Sequence, residues 1–83
     1  MQTIMIDGSS YANPQEMHSA LKHMLSLPEY YGLNADAFND VLSERTEQLN
    51  LWIFHPGSGD VASALSVIRT VVLDNGGTVK EMR

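Results

Sequence analysis

Residues 49–54, with the sequence Leu-Asn-Leu-Trp-Ile-Phe, form a short apolar run between two segments of helical periodicity. Such a run is typical of a strand in a parallel sheet that helices cover on both faces. We therefore predict apolar contacts on both sides of this strand. Because strands that alternate with helices need right-handed crossover connections, the chain is restricted to an α/β architecture with a small parallel sheet.

The other elements follow from turn and capping residues. Residues 3–6 and 78–82 are predicted strands, and a turn at residues 7–10 closes the first of them. Helices are predicted to begin at the cap residues Asn13, Asn34 and Asp60, the first ending near residue 26 and the last at the Asn-Gly-Gly of residues 75–77. The predicted order is β-α-α-β-α-β. The predicted core faces of the helices are Met17, Leu21, Met24 and Leu25; Ala37, Phe38, Val41 and Leu42; and Val61, Leu65, Ile68 and Val72.

The length of 83 residues predicts a single domain over residues 1–83. The chain has no cysteine, so neither disulfides nor thiolate-bound metal can stabilise it, which fits a reducing compartment and leads us to expect a cytoplasmic protein. The N-terminal residues lack the basic start and long apolar run of a signal peptide. No window resembles a membrane span, so no membrane association is expected.

The net charge of −5 is concentrated in one part of the chain. Between Glu29 and Glu47 there are five carboxylates and a single cation, Arg45. Direct binding of nucleic acid is disfavoured, because Lys and Arg supply most of its affinity. A basic protein partner is favoured, since opposite potentials steer association. The alternative is that the acidic residues only keep the protein soluble, and charge alone does not decide between the two.

Asp36, Asp40 and Glu44 are spaced four residues apart, which places them on one face of the second predicted helix. Like charges at this spacing cost a few tenths of a kcal/mol per pair. They form either a solvated face or an anionic binding surface flanked by Tyr30 and Tyr31, since tyrosine is frequent in binding hot spots. A third hypothesis, an enzyme that uses Asp36 and Asp40, requires a deep pocket between the two carboxylates.

The remaining polar motifs do not predict a catalytic or cofactor site. His18 and His23 are five residues apart and so lie on different faces of the first helix, where we expect them to be exposed or half-buried. The Gly-Ser-Gly of residues 57–59 lacks the lysine of a phosphate-binding loop, and Asp60 after it disfavours an anion. We expect a connecting loop there and no cofactor or metal.

Residues 27–42 read L-P-E-Y-Y-G-L-N-A-D-A-F-N-D-V-L, a pattern that resembles the barstar family of ribonuclease inhibitors. The resemblance extends upstream through the first strand, the Asp7-Gly8 turn and the Met17–Leu21 helix face, and downstream it weakens to the order of elements. It implies a three-stranded parallel sheet packed with helices, and inhibition in which an acidic helix and loop block a nuclease active site. It implies that Asp40 replaces a substrate phosphate, with Asp36 and Tyr30 as further contacts. The other partner-binding positions that it implies are Gly32, Asn34, Ala35, Asn39, Ser43, Glu44 and Glu47.

Three positions depart from the family pattern. Asn39 and Arg45 stand where the family has tryptophans, and Thr70 stands where it has a contacting glutamate. Different residues around an unchanged anionic centre are expected if the partner is a different nuclease. The resemblance therefore implies a basic ribonuclease as partner, an immunity role against a nuclease toxin, and a monomer when free. The alternative is an interaction module of the same fold whose partner is not a ribonuclease.

Overall fold

The computed structural model describes residues 1–82. The strands are β1 (Gln2–Asp7), β2 (Leu49–Phe54) and β3 (Thr78–Met82), and the helices are α1 (Pro14–Leu25), α2 (Ala35–Glu44) and α3 (Gly59–Asp74), with a short 3-10 helix at Gly8–Ser10. The predicted order β-α-α-β-α-β and the α/β class are confirmed. Among residues 1–82, no helix is both long and apolar enough to span a membrane.

The three strands form one parallel sheet in the order β1-β2-β3. Ile4 of β1 is paired with Leu51 of the central strand, and Ile53 is paired with Glu81 of β3. Leu49, Leu51 and Ile53 point into the core and are buried. The central strand therefore carries one continuous row of core side chains.

The other face of the sheet is only partly covered. Met5 is 56% exposed, and Trp52 beside it is half-buried, with the Lys80 ammonium nitrogen 5.4 Å from its ring centroid. Phe54 is also half-buried, and Asn50 on this face hydrogen-bonds across the strands. The prediction of apolar cover on both sides of β2 is therefore wrong. Trp52 and Phe54 suit a partly exposed face as well as a buried one, so the apolar run did not distinguish the two cases.

The first two helices begin at the predicted cap residues. The Asn13 side-chain oxygen accepts a hydrogen bond from the backbone N–H of Glu16 at 3.0 Å. The Asn34 side-chain oxygen accepts one from the N–H of Ala37 at 2.8 Å. Each cap satisfies a donor that the first turn leaves unpaired.

The third helix begins earlier than predicted. Its cap residue is Ser58, and Asp60 lies in the first turn instead of at the cap. An aspartate is favoured at both places, at the cap by hydrogen bonding and in the first turn by the helix dipole, so the residue type alone did not fix the boundary. The predicted end is confirmed, because the helix stops at Asp74 and Gly76 follows with a φ of +80°.

The core lies between the sheet and the helices. The predicted face of α3 is buried throughout, and Val71 adds to it. In α2, Phe38 is completely buried and Leu42 nearly so, whereas Ala37 and Val41 are only half-buried. Phe38 and Leu42 therefore fix α2 to the core, and the opposite face of this helix is left exposed. The largest fully buried side chains are Phe38, Ile6, Met17, Leu21, Leu51, Ile53, Leu65, Ile68 and Val72.

Candidate protein-binding surface

The loop of residues 26–34 is joined to α2 by the side chain of Asn34. Its amide nitrogen donates to the carbonyl oxygen of Gly32 at 3.1 Å, and its amide oxygen caps α2 at Ala37. One side chain thus pairs with a backbone carbonyl of the loop and with a backbone N–H in the first turn of α2. Asn34 is exposed, but both ends of its amide are already hydrogen-bonded within the chain.

The residues Asp36, Asp40 and Glu44, here called the acidic patch, lie on the exposed face of α2. A rise of 1.5 Å per residue puts their Cα atoms about 6 Å apart along the helix. Among residues 1–82, the ion pairs do not include any of the three. The patch therefore presents three uncompensated carboxylates to solvent.

An open groove lies between the loop and α2. It has a volume of about 300 Å³. Its lining residues, which define the groove, are Tyr30, Tyr31, Gly32, Ala37, Asp40, Val41 and Glu44. Ala37 and Val41 give it apolar surface, while Asp40 and Glu44 give it carboxylates. Tyr30 is 81% exposed, so most of its ring is available to a partner.

The two adjacent tyrosines have different environments. Tyr31 is 5% exposed, and its hydroxyl oxygen lies 2.6 Å from Nδ1 of His18, which is 4% exposed. The expectation that His18 is exposed or half-buried is therefore wrong, whereas His23 is exposed as expected. His18 is buried because the loop folds back over α1 and supplies a partner 13 residues away, which helical periodicity does not reveal.

Burial also shifts the titration of this pair. It lowers the pKa of His18 from the usual 6.5 and raises the pKa of Tyr31 to about 12. At neutral pH both groups are uncharged, and the direction of their hydrogen bond follows the tautomer of the His18 ring.

A second contact lies between the loop and α1. Lys22 Nζ donates to the Glu29 carboxylate at 3.4 Å. His18 and Lys22 are one turn apart on α1, and their partners Glu29 and Tyr31 lie on either side of Tyr30. Because the Glu29 side chain is fully exposed, this ion pair contributes little. The buried contact of Tyr31 with His18 is the one that holds the loop to α1, while the Tyr30 side chain extends into solvent.

Glu47 lies apart from the acidic patch. It is 3.9 Å from a guanidinium nitrogen of Arg45 and 3.9 Å from the N-terminal amine. Arg45 also donates to the side-chain oxygen of Gln2 at the start of β1. Glu47 is thus partly neutralised by Arg45 and by the N-terminal amine, at the end of the sheet where β1 and β2 both begin.

Other predicted site residues have local roles within the chain. The Ser43 hydroxyl donates to the backbone oxygen of Asp40 at 2.8 Å, and Ala35 is half-buried at the start of α2. Asn39 accepts from Asn75 at 2.9 Å. Of the predicted contact residues, the structure brings Tyr30, Gly32, Asp40 and Glu44 together in the groove; the others lie outside its lining.

Asp36 and Asp40 do not face each other across a pocket. Asp40 lines the groove and Asp36 does not, although both lie on the same exposed helix face. A single helix face offers no opposing wall to hold a substrate between the two carboxylates. Within residues 1–82, no group of His, Asp and Glu side chains is arranged to hold a metal ion.

Comparison with known families gives a match to the model described as Barstar (barnase inhibitor), over residues 1–75. The chain belongs to the barstar family. A relative in Bacillus subtilis (strain 168), named "Putative ribonuclease inhibitor YrdF", is 44% identical over 43 residues. That match covers 52% of this chain and 47% of the relative, so the chain aligns with about half of the relative's length.

Membership of the barstar family confirms the resemblance that residues 27–42 indicated. The family description and the relative's name both refer to inhibitors. In this barstar-family chain, the groove and the acidic patch both lie within the matched residues.

Proposed function

We propose that this protein binds a basic ribonuclease and blocks its active site with α2 and the loop of residues 26–34. The observation that carries the proposal is the acidic patch next to the groove, where Asp40 and Glu44 belong to both. A ribonuclease active site is built to bind phosphates, so it presents cations. A rigid row of carboxylates is complementary to such a site.

The groove supports a specific role for Asp40. A cationic side chain that enters it meets the Asp40 and Glu44 carboxylates, and the exposed Tyr30 ring offers an aromatic face. Asp40 then takes the place of a substrate phosphate. Asp36, one turn earlier on the helix, extends the negative potential toward neighbouring cations.

The rigidity of the site also favours inhibition. Asn34 joins the loop to α2, and the buried contact of Tyr31 with His18 holds the loop to α1 next to Tyr30. A surface that is ordered before binding loses less conformational entropy on binding. We also propose that this protein is a monomer when free. We propose that it acts in the cytoplasm as an immunity protein, which protects its cell from a nuclease toxin.

Inhibition assays test the proposal. The purified protein is titrated into a panel of basic microbial ribonucleases while RNA cleavage is followed. We expect at least one enzyme to be inhibited stoichiometrically, and Asp40→Asn to weaken that inhibition by at least about 100-fold, as expected for a central charged contact.

Asp60→Asn is the matched control, because it removes the same charge elsewhere. Asp60 lies in the first turn of α3, whereas the opposite end of α3 contacts α2 through Asn75. Asp60 is about 20 Å along the helix from that end. We expect it to inhibit like the unmodified protein. If no ribonuclease in the panel is inhibited, or if both substitutions have equal effects, the proposal is wrong.

A second candidate function is a protein-interaction module whose partner is not a ribonuclease. It is favoured by Asn39, Arg45 and Thr70, whose side chains all make hydrogen bonds within the chain. Affinity capture from the native host, with Asp40→Asn as the reference bait, distinguishes the two. A ribonuclease as the main Asp40-dependent partner contradicts this second candidate.

A further inference from the structure

Asn39 and Asn75 connect α2 to the end of α3 through their side-chain amides. Asn75 is the C-terminal cap residue of α3. Its amide nitrogen donates to the side-chain oxygen of Asn39 at 2.9 Å and to the backbone oxygen of Val71 at 2.8 Å. The two residues are 36 positions apart in sequence, so the contact depends on the packing of the helices.

This pair of hydrogen bonds fixes the orientation of both amides. A backbone carbonyl only accepts, so the NH2 group of Asn75 must face Val71. The same NH2 group then requires an acceptor on Asn39, which turns the Asn39 oxygen toward Asn75 and its nitrogen away. Among residues 1–82, no acceptor is hydrogen-bonded to that nitrogen, and Asn39 is exposed. Asn39 therefore presents two N–H donors to solvent beside Asp40.

We propose that Asn39 is a specificity-determining residue, whose outward amide donates to a neutral carbonyl oxygen on the partner, next to the cation that Asp40 binds. The inference rests on the proposed function. An anionic acceptor is disfavoured at this position, because the acidic patch repels it. A backbone carbonyl or an Asn or Gln side chain is not repelled.

The geometry gives Asn39 a discriminating role. A partner with an apolar group opposite Asn39 leaves two amide donors without acceptors when water is excluded, which weakens that complex. A partner with a carbonyl oxygen there satisfies them. Asn39 thus selects among basic ribonucleases that all satisfy Asp40.

Asn39→Asp tests the inference in the ribonuclease binding assay. The substituted carboxylate still accepts from Asn75, so the link between α2 and α3 is retained while the outward donors are lost. We expect the affinity for the inhibited ribonuclease to fall by about 3- to 10-fold, the effect of one lost hydrogen bond. General attraction to a basic partner predicts the opposite sign, because the substitution adds a negative charge.

Asn39→Ala is the second variant, because it removes the donors without adding charge. It should weaken binding by a similar factor, and urea unfolding of both variants reports any loss of the link to Asn75. Binding by either variant as tight as that of the unmodified protein overturns the inference. If Asp40→Asn abolishes inhibition in that case, the proposed function still stands; if the unmodified protein inhibits no ribonuclease, both are overturned.

Discussion

The hydroxyl oxygen of Tyr31 lies 2.6 Å from Nδ1 of His18, and this buried hydrogen bond joins α1 to the loop that presents Tyr30. The rings are also close, with their centroids 6.0 Å apart. Both residues are 5% exposed or less, so the hydrogen bond between them replaces contacts with water that folding removes. Stability and loop geometry are therefore linked at this pair.

Removal of the Tyr31 hydroxyl should destabilise the protein. In Tyr31→Phe the ring remains packed, but His18 Nδ1 is left buried without its hydrogen-bond partner. We expect the free energy of unfolding to fall by about 1–2 kcal/mol in urea titrations. Tyr30→Phe is the matched control, because its exposed hydroxyl should contribute nothing measurable. Equal unfolding midpoints for the two variants would contradict this account.

Stability should fall in mild acid because of His18. Burial lowers its pKa below 6.5 in the folded state, so the unfolded chain binds the proton first as pH falls. The stabilisation is complete above pH 6.5, the unfolded pKa, and is lost as pH falls from there toward the folded pKa. Urea unfolding between about pH 5 and 7 should show this slope, and His18→Gln should reduce it.

The exposed His23 provides the control for that measurement. His23→Gln removes the same titratable group type from the same helix without affecting a buried site. We expect it to leave the slope of stability against pH as it is in the unmodified protein. If the slope disappeared in His23→Gln and persisted in His18→Gln, the pH dependence would come from His23 and this account of His18 would be wrong.

Stability should also fall in alkali because of Tyr31. Its pKa is raised from 10.0 to about 12, so the unfolded chain loses the phenolic proton first. The stabilisation is present below pH 10 and is lost as pH rises toward 12, by on the order of 2 kcal/mol. Urea unfolding across this range measures the loss. It should persist in Tyr30→Phe and become smaller in Tyr31→Phe, where Tyr11, whose pKa burial also raises, still contributes.

We expect Phe38 to contribute more than any other α2 side chain to the attachment of this helix to the core. It is completely buried, and Phe38→Ala removes a large side chain from between α2 and the rest of the core. We expect a loss of about 3–5 kcal/mol, enough to unfold much of a small domain. Val67→Ala, at a position that is 47% exposed, should change the unfolding midpoint little. Comparable losses in circular-dichroism unfolding curves would show that Phe38 is not a core anchor.

The acidic patch should govern how fast a ribonuclease is captured. Replacement of Asp36 and Glu44 by their amides removes two exposed charges and leaves Asp40 in place. Under the proposed function, we expect the association rate constant at low salt to fall by roughly 3- to 10-fold and its salt dependence to weaken. Stopped-flow fluorescence measures both. An unchanged association rate, with Asp60→Asn as the charge control, would exclude electrostatic steering by the patch.

Features that depend on neighbouring residues in sequence were predictable. The bounds of β2 agree with the apolar run at residues 49–54, and Asn13 and Asn34 cap their helices as predicted. In each case the signal lies within a few residues of the feature. The spacing of the acidic patch on α2 is local in the same sense.

Features that depend on packing between distant elements were not predictable. The contact of His18 with Tyr31 spans 13 residues, and that of Asn39 with Asn75 spans 36. Each residue alone resembles an ordinary surface polar group, and only the folded chain brings the partners together. The groove beside Tyr30 is of the same kind, because it requires the loop and α2 to be placed against each other.

The sheet order determines when β1 can be completed during synthesis. Within the part of the chain that the structure describes, β1 is an edge strand paired with β2, which begins at Leu49. When residues 2–7 leave the ribosome, their partner strand has not yet been made, and a parallel pair cannot be replaced by a local hairpin. Residues 2–7 must therefore remain unpaired until residues 49–54 have emerged, while β2, α3 and β3 follow one another without such a delay.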